Sequence, residues 1–529
     1  METVIPPDSS AFGRSNVKAL NTEDEKTIGP KSWIVVCVMA LLCFFIITVA
    51  IFILSHQSLR LDEAQSLWQS ARSPAGILKI IAQDVHVPLF GLMLHFWMLV
   101  FGNGVAVARV MSLALFIAAV PAVYLLASLA FNKKIGLFSA VLIALSPFLN
   151  WYGSEIRMYS LLTLLTVINQ YFFLAWFRFQ QNTNHKPFSQ TGIWTGYGIS
   201  ALLGIYTHYF FWLILLTQGV FYLIFSKQFP KHTFRNLSIT ATGLAVSISP
   251  WLYYVKRLNM ISNSEPLLIK PTTVDLFNAF SQFIFGFHDD HVNTLIVSLW
   301  PLAVLFIFLG VRKHAKISPQ TVYFFMSAFL PIAVTFIVSI FYRPVFLTRY
   351  LIFTTPSLFI FFAWFFDTYP KKTSTLLKSI LVIAMIATFV LQIKDVGTPV
   401  KENYEQASWY IGTRASAQDI IVLSAPFTVY PFEYYYKGPS SIQTLPLWER
   451  FKPGPIPPFI EDEFPPQVES LAKTHQNIWL LLSYDQGYEQ KLKYYFDSHY
   501  KKIDEQHFSS GLYLYVYETR QKEKFMTAQ

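Results

Sequence analysis

Long apolar runs alternate with short polar connections along most of this chain. Trp33 to Leu54 holds 22 consecutive residues without a charge. A run of that length can cross a hydrocarbon core of about 30 Å, and it is too long for the core of a signal peptide. It therefore predicts an uncleaved first span behind a polar, cytoplasmic N-terminal tail, residues 1–32. The pattern predicts about eleven spans, at roughly 33–54, 107–130, 135–152, 159–177, 193–207, 209–226, 237–255, 292–310, 320–341, 346–366 and 377–393. Two shorter apolar stretches, 76–83 and 87–101, predict helices lying at the membrane interface within a first external loop, 55–106. No internal repeat is visible, so the inverted-repeat pattern of transporters has no support.

The connections differ in charge. Lys133 and Lys134, Arg178 and Lys186, Lys227, Lys231 and Arg235, Arg312, Lys313 and Lys316, and Lys371, Lys372 and Lys378 occupy alternate loops. The excess of Lys and Arg places those loops in the cytoplasm. Between residues 33 and 393 there are nine acids: Asp62, Glu63, Asp84, Glu155, Glu265, Asp275, Asp289, Asp290 and Asp367. All but Asp367 fall in the opposite loops. They either concentrate chemistry on the outer face or simply solvate it.

From about residue 394 the composition changes. Helices are expected at 403–414 and 486–497. Strands are expected from Asp419 to Ser424, Ile478 to Tyr484 and Gly511 to Glu518, with proline-rich loops such as Pro453 to Pro458 between them. The expected fold class is an α-helical polytopic membrane protein, its membrane domain at 33–393, with a small C-terminal α/β extracytoplasmic domain at 394–529. Hydrophobic residues make up 53% of the chain and charged residues 14%, against about 25% charged in a soluble domain. The formal charge of +10 lies mostly between apolar runs, where membrane topology explains it, so nucleic acid is not an expected partner. The two cysteines, Cys37 and Cys43, both sit in the first apolar run, cannot form a disulfide framework, and say nothing about compartment.

Five segments can carry chemistry. Leu61-Asp62-Glu63-Ala64 follows the first span; a carboxylate there can act as a general base on a hydroxyl, bind a cation, or cap a helix. Asp84-Val85-His86-Val87-Pro88 offers a carboxylate and an imidazole two residues apart, for a metal or a phosphate, though Asp84 and Pro88 also fit a helix start. Tyr152 to Tyr159 sets Glu155 and Arg157 at a span end, as site residues or as a structural pair. Thr207-His208-Tyr209 gives a histidine that is either an acid–base group or structural. Arg349-Tyr350 opens the tenth span, suited to bidentate phosphate recognition or to interfacial anchoring. A divalent cation on Asp84, His86 and His208 stays open, because the spacing matches no defined metal motif. No cofactor is otherwise expected.

In order along the chain, these segments resemble the C-type (GT-C) integral membrane glycosyltransferases, and more closely the branch of the protein O-mannosyltransferases and the lipid A aminoarabinose transferase. The stretch Leu92 to Gly102, Arg109 at the start of the second span, Ser154 to Leu161, Thr207 to Phe210 and Arg349 to Pro356 add to the likeness, which covers about residues 33–393. The resemblance implies a sugar donor on a polyprenyl phosphate and inverting transfer at the outer face. The acceptor would be a lipid glycan, a polysaccharide or a protein, and the lipid bilayer a partner. It implies Asp62 as catalytic carboxylate, Glu155 as a second acid facing the site, and Arg349 and Tyr350 at the donor phosphate. Arg157 and His86 would assist there, with Glu63, Asp84, His208 and Tyr209 lining the site. A bacterial inner membrane, with the site on the periplasmic side, is the implied location.

The chain departs from the aminoarabinose transferase pattern. Ala64-Gln65 stands where a basic residue is expected, and Asp84-Val85-His86-Val87 where an acidic–basic pair precedes the proline. A transporter or lipid flippase is the alternative, expected to carry its ionisable residues in mid-span. A non-catalytic envelope scaffold would need no ordered set of outer acids and bases.

Overall fold

The computed structural model describes residues 32–54, 57–84, 86–179, 189–259, 269–314, 317–395, 402–451 and 456–519. Most of the N-terminal tail, with Val85, Lys186, Glu265, Lys316 and Pro453, lies outside them.

Each expected span falls on a helix or a helix pair. These are α1 (Ser32–Leu54), then, after three short helices α2 (Leu61–Ser70), α3 (Pro74–Ile81) and α4 (Leu89–Phe101), α5 (Val105–Ala130), α6 (Lys133–Leu145) with α7 (Pro147–Gly153), α8 (Tyr159–Phe179), α9 (Gln190–Ile205), α10 (Phe211–Phe225) and α11 (Thr233–Asn259). After α12 (Thr273–Phe285) come α13 (Asp290–Ser298) with α14 (Trp300–His314), α15 (Pro319–Phe341), a 3-10 turn Thr348–Thr354 leading into α16 (Thr355–Asp367), and α17 (Lys371–Lys394). Among the described residues, eight helices are long and apolar enough to cross a membrane, or nine if the bent pair α6–α7 is one span. The expected eleven is thus larger than length and apolarity support. α9 has only 16 residues, and α11 is diluted by Arg235, Asn236, Ser238, Thr240 and Thr242. The chain is an integral, multi-pass membrane protein.

α8 forms the centre of the bundle; most of its residues are buried, whereas α1 buries only Val35, Ile46 and Ala50. α5 and α6 approach closely at Gly136, where a Cβ would lie 2.2 Å from the Ser128 hydroxyl oxygen and 2.7 Å from the Tyr124 carbonyl. Small residues allow this kind of contact between membrane helices. A buried polar network ties α8 to its neighbours. Gln218 Nε2 donates to Asn169 Oδ1 at 2.8 Å, the Tyr197 hydroxyl donates to Gln218 Oε1 at 2.8 Å, and Asn169 Nδ2 donates to Ser200 Oγ at 3.1 Å. α6 and α7 meet at a 64° bend, set by Pro147 at the first position of α7 and by Ser146, whose Oγ accepts from Leu149 N at 3.2 Å. The bend delivers residues 154–158 to the same end of the bundle as α2.

The C-terminal part is a five-stranded sheet of order β2-β1-β3-β5-β4, built from β1 (Ile420–Ser424), β2 (Ser441–Thr444), β3 (Asn477–Ser483), β4 (Lys501–Ser509) and β5 (Leu512–Glu518). β1 runs parallel to β2 and β3, while β5 is antiparallel to β3 and β4. Helices α18 (Tyr404–Arg414), α19 (Val429–Tyr435), α20 (Phe464–Thr474) and α21 (Glu489–His499) cover it. One face, with Ile421, Leu423, Trp479 and Leu481, joins the apolar core of the membrane helices; the other, with Val422, Leu480 and Leu482, packs under Phe464, Val468 and Phe496.

Candidate active site

Asp62 and Glu63 open α2, the first of the short helices, rather than lying in an irregular loop. On a helix, adjacent residues point about 100° apart, and here the two carboxylates part company. Glu63 is 1% exposed. Its Oε2 and Oε1 accept from Arg109 Nη2 at 2.7 Å and Arg109 Nε at 3.0 Å, and from the backbone N–H groups of Arg60 at 3.1 Å and Ile156 at 3.2 Å. Arg109 also donates to the carbonyls of Gln57 and Ser58. Burial alone would raise the Glu63 pKa, but the charge and hydrogen bonds of Arg109 outweigh it and hold the group ionised. Glu63 ties α2, α5 and residues 154–158 together, and does not present a free carboxylate to a substrate.

Asp62 points elsewhere. Its Oδ2 lies 2.9 Å from Arg349 Nη1 and its Oδ1 3.5 Å from Arg157 Nη2. Its side chain is 21% exposed. Burial works to raise its pKa; the guanidinium groups of Arg157, Arg349 and Arg60 overcome that and hold it well below the usual carboxylate range. Arg157 also donates from Nη1 to Ser66 Oγ at 3.3 Å and from Nη2 to His86 Nε2 at 3.1 Å. That contact uses His86 Nε2 as an acceptor, in keeping with a neutral ring, and burial pushes the His86 pKa down.

Glu155 is 2% exposed and lies 3.2 Å from Arg60 Nη1. Neither of its oxygens is hydrogen-bonded. Burial pushes its pKa up to about 7, against the pull of Arg60 and with the push of Asp62 and Glu63. Arg60 stacks over the Trp151 ring at 4.5 Å. Sequence reasoning missed Arg60; the available signal was a cation directly beside the acidic pair at a span end.

The remaining candidates surround this group. Arg349 stands in the 3-10 turn before α16, and Tyr350 turns to His208 at 5.3 Å and Phe210 at 5.8 Å between ring centres. His208 Nδ1 accepts from Phe210 N at 3.1 Å. Burial, then the neighbouring His86 and Arg157, take its pKa to about 3, so the ring is neutral. The Tyr209 hydroxyl accepts from Trp251 Nε1 at 3.1 Å. Asp84 accepts from Gln69 at 3.1 Å and Gln65 at 3.3 Å. Among the described residues no three His, Cys, Asp or Glu side chains are grouped to hold a metal ion, so Asp84, His86 and His208 do not form such a set.

One feature singles out the surroundings of Asp62. Both Glu155 oxygens, Arg157 Nε, the Tyr159 hydroxyl and Arg349 Nε are buried and have no hydrogen-bond partner, and the Tyr159 phenol sits in the fields of Arg349, Arg157, Asp62 and Glu155. Buried polar atoms are nearly always satisfied in folded proteins. Their concentration at one point, among two acids and three guanidinium groups, makes this the candidate site.

Comparison with known proteins bears on the fold. Residues 85–254, about a third of the chain, match the family model described as dolichyl-phosphate-mannose-protein mannosyltransferase. ArnT from Cupriavidus metallidurans bound to undecaprenyl phosphate is 11% identical, with a TM-score of 0.58 over 91% of this chain and 98% of that one. The oligosaccharyltransferase of Archaeoglobus fulgidus in its apo form is 12% identical, with a TM-score of 0.52 over 93% of this chain and 75% of that one. The arabinofuranosyltransferase AftD from Mycobacteria is 11% identical, with a TM-score of 0.53 over 93% of this chain and 40% of that one. Among curated protein sequences there is no significant match. The fold is shared with these three membrane proteins, and residues 85–254 match the mannosyltransferase family model.

Proposed function

We propose that this protein moves a sugar, with inversion, from a polyprenyl-phosphate donor to a hydroxyl of a lipid glycan, polysaccharide or protein at the outer face of a bacterial inner membrane. The observation that carries the reading is Asp62 held between Arg157 and Arg349, in the midst of buried polar atoms without hydrogen-bond partners. The ArnT structure bound to undecaprenyl phosphate supports the donor class.

The chemistry follows from the charges. A donor phosphate competes with Asp62 for Arg349 and Arg157. As the guanidinium groups turn to the phosphate, Asp62 loses part of the field that depresses its pKa and becomes a stronger base. It takes the proton of the acceptor hydroxyl while the acceptor oxygen bonds to the anomeric carbon. The bond from that carbon to the phosphate oxygen breaks through an oxocarbenium-like state. The polyprenyl phosphate leaves with the electron pair, its charge met by the arginines.

Two results are expected. Arg349→Gln removes a charged hydrogen bond, of about 1.5–3 kcal/mol, and should raise the half-saturating donor concentration by roughly ten- to a hundredfold, read from initial rates in liposomes. Glu155 is neutral and can donate a hydrogen bond below about pH 7; above it, it is a carboxylate beside the phosphate. kcat/KM, which reports the free enzyme, should therefore fall as pH rises through about 7, and Glu155→Gln should flatten that limb. A profile for Glu155→Gln that keeps the limb assigns the ionisation to another group.

The donor class is tested by offering the purified protein in liposomes either nucleotide sugars or polyprenyl-phosphate sugars extracted from the native membrane, with acceptor fractions. The proposal requires acceptor-dependent release of free polyprenyl phosphate from the second pool alone. Transfer from nucleotide sugars would refute it.

A further inference from the structure

The sheet domain reaches into this site. The parallel strands β1 and β3 end at Ser424 and Ser483, and in sheets with parallel strands ligands gather beyond such carboxyl ends. That edge sits on the segment leading into Asp62: the Ser58 hydroxyl donates to the Glu402 carbonyl, and the Leu59 N–H donates to the Tyr435 hydroxyl at 2.8 Å. Tyr484, the first residue after β3, has φ 57° and is the non-glycine residue with positive φ among those described. Bulky side chains rarely adopt that conformation, and a held backbone outlier is a pointer to function. Tyr484 is 37% exposed, and its ring meets Phe427 at 5.9 Å between ring centres. Its phenol lies beside Glu402, which is only 7% exposed, and it feels the charges of Arg60 and Asp62.

We infer that Tyr484 forms the acceptor wall of the active site and directs a sugar hydroxyl of a glycan acceptor toward Asp62. This rests on the transferase reading above. A partly exposed tyrosine beside a buried carboxyl suits a sugar, which presents apolar C–H edges next to hydroxyls; orientation in such pockets comes from a few fixed polar groups against an aromatic wall. Tyr484 is a positioning residue for the acceptor.

The test uses the full-length protein in liposomes with extracted polyprenyl-phosphate sugars, titrated in separate arms with the native glycolipid fraction and with the native membrane-protein fraction. Tyr484→Phe keeps the ring and should raise the half-saturating glycolipid concentration about tenfold, the scale of a lost polar contact, with kcat changed by less than about threefold. Tyr484→Gly suits the positive φ, so it should keep the melting temperature while raising half-saturation further. Unchanged glycolipid half-saturation in both variants overturns the inference. Transfer confined to the protein arm overturns the glycan acceptor. A wild type that releases no polyprenyl phosphate in either arm defeats the transferase reading itself, and the acceptor wall with it.

Discussion

Asp62→Asn is expected to turn over at least about a hundredfold slower than wild type, the scale of a removed general base, while the protein stays folded. The amide has nearly the same shape and retains an oxygen for Arg349 at its 2.9 Å contact, but it cannot accept the acceptor's proton. The loss should fall on kcat. The donor's half-saturation should hold or improve, because the variant removes the anion that competes with the donor phosphate for Arg157 and Arg349. Initial rates at varied donor give both numbers, and an unchanged thermal unfolding profile excludes a folding defect. A variant that loses donor affinity but keeps kcat would mark Asp62 as an anchor for the arginines and not as the base.

Glu63→Gln should fail differently. Its carboxylate is paired bidentately with Arg109 and takes two further backbone N–H bonds, all out of water. Breaking a buried pair by neutralising one partner leaves an uncompensated charge and costs about 3–5 kcal/mol. The expected result is a large fall in melting temperature and in the yield of folded protein. The double variant Glu63→Gln/Arg109→Met should recover part of the loss, because removing both charges is far less costly than removing one. Tryptophan fluorescence on heating in detergent follows this directly. A Glu63→Gln protein that melts like wild type but does not turn over would reverse the roles given to these neighbouring acids.

How much of this was legible in the sequence depended on distance along the chain. The spans could be read because a helix such as α1 carries its own signal: uninterrupted apolarity needs no partner. α11 could be placed but not judged as a crossing, since Arg235, Ser238 and Thr242 dilute its apolar run and stay exposed. β1, β3 and β5 are buried, apolar strands and were visible. β4 was not, because Lys501 to Ser509 is a polar edge strand with irregular register near Asp504 and Ser509, and edges are kept polar. The four-residue β2 is too short to carry a pattern.

The site divides in the same way. Asp62, Glu155, Arg157, Arg349 and His86 were recognisable as chemistry at span ends, and the structure brings them together. The separate role of Glu63 was hidden because its partner lies 46 residues on, in α5. Arg60 acquires meaning only from Glu155 and Trp151 beside it. Tyr484 lies in the other domain, and nothing local in its sequence joins it to Asp62. The Asn169–Gln218 network, likewise, consists of polar residues that look like interruptions until the helices are packed.

The central claim is that Asp62 drives release of polyprenyl phosphate from a lipid-linked sugar. Its most direct test puts wild type and Asp62→Asn side by side in liposomes with the extracted polyprenyl-phosphate sugars and acceptor fractions, and follows free polyprenyl phosphate by mass spectrometry. Acceptor-dependent release by wild type is expected, with a missing mass that identifies the sugar and a rate at least about a hundredfold lower in the variant. Equal release by the two proteins would contradict the role of Asp62, and no release by wild type with any pool would contradict the transferase reading.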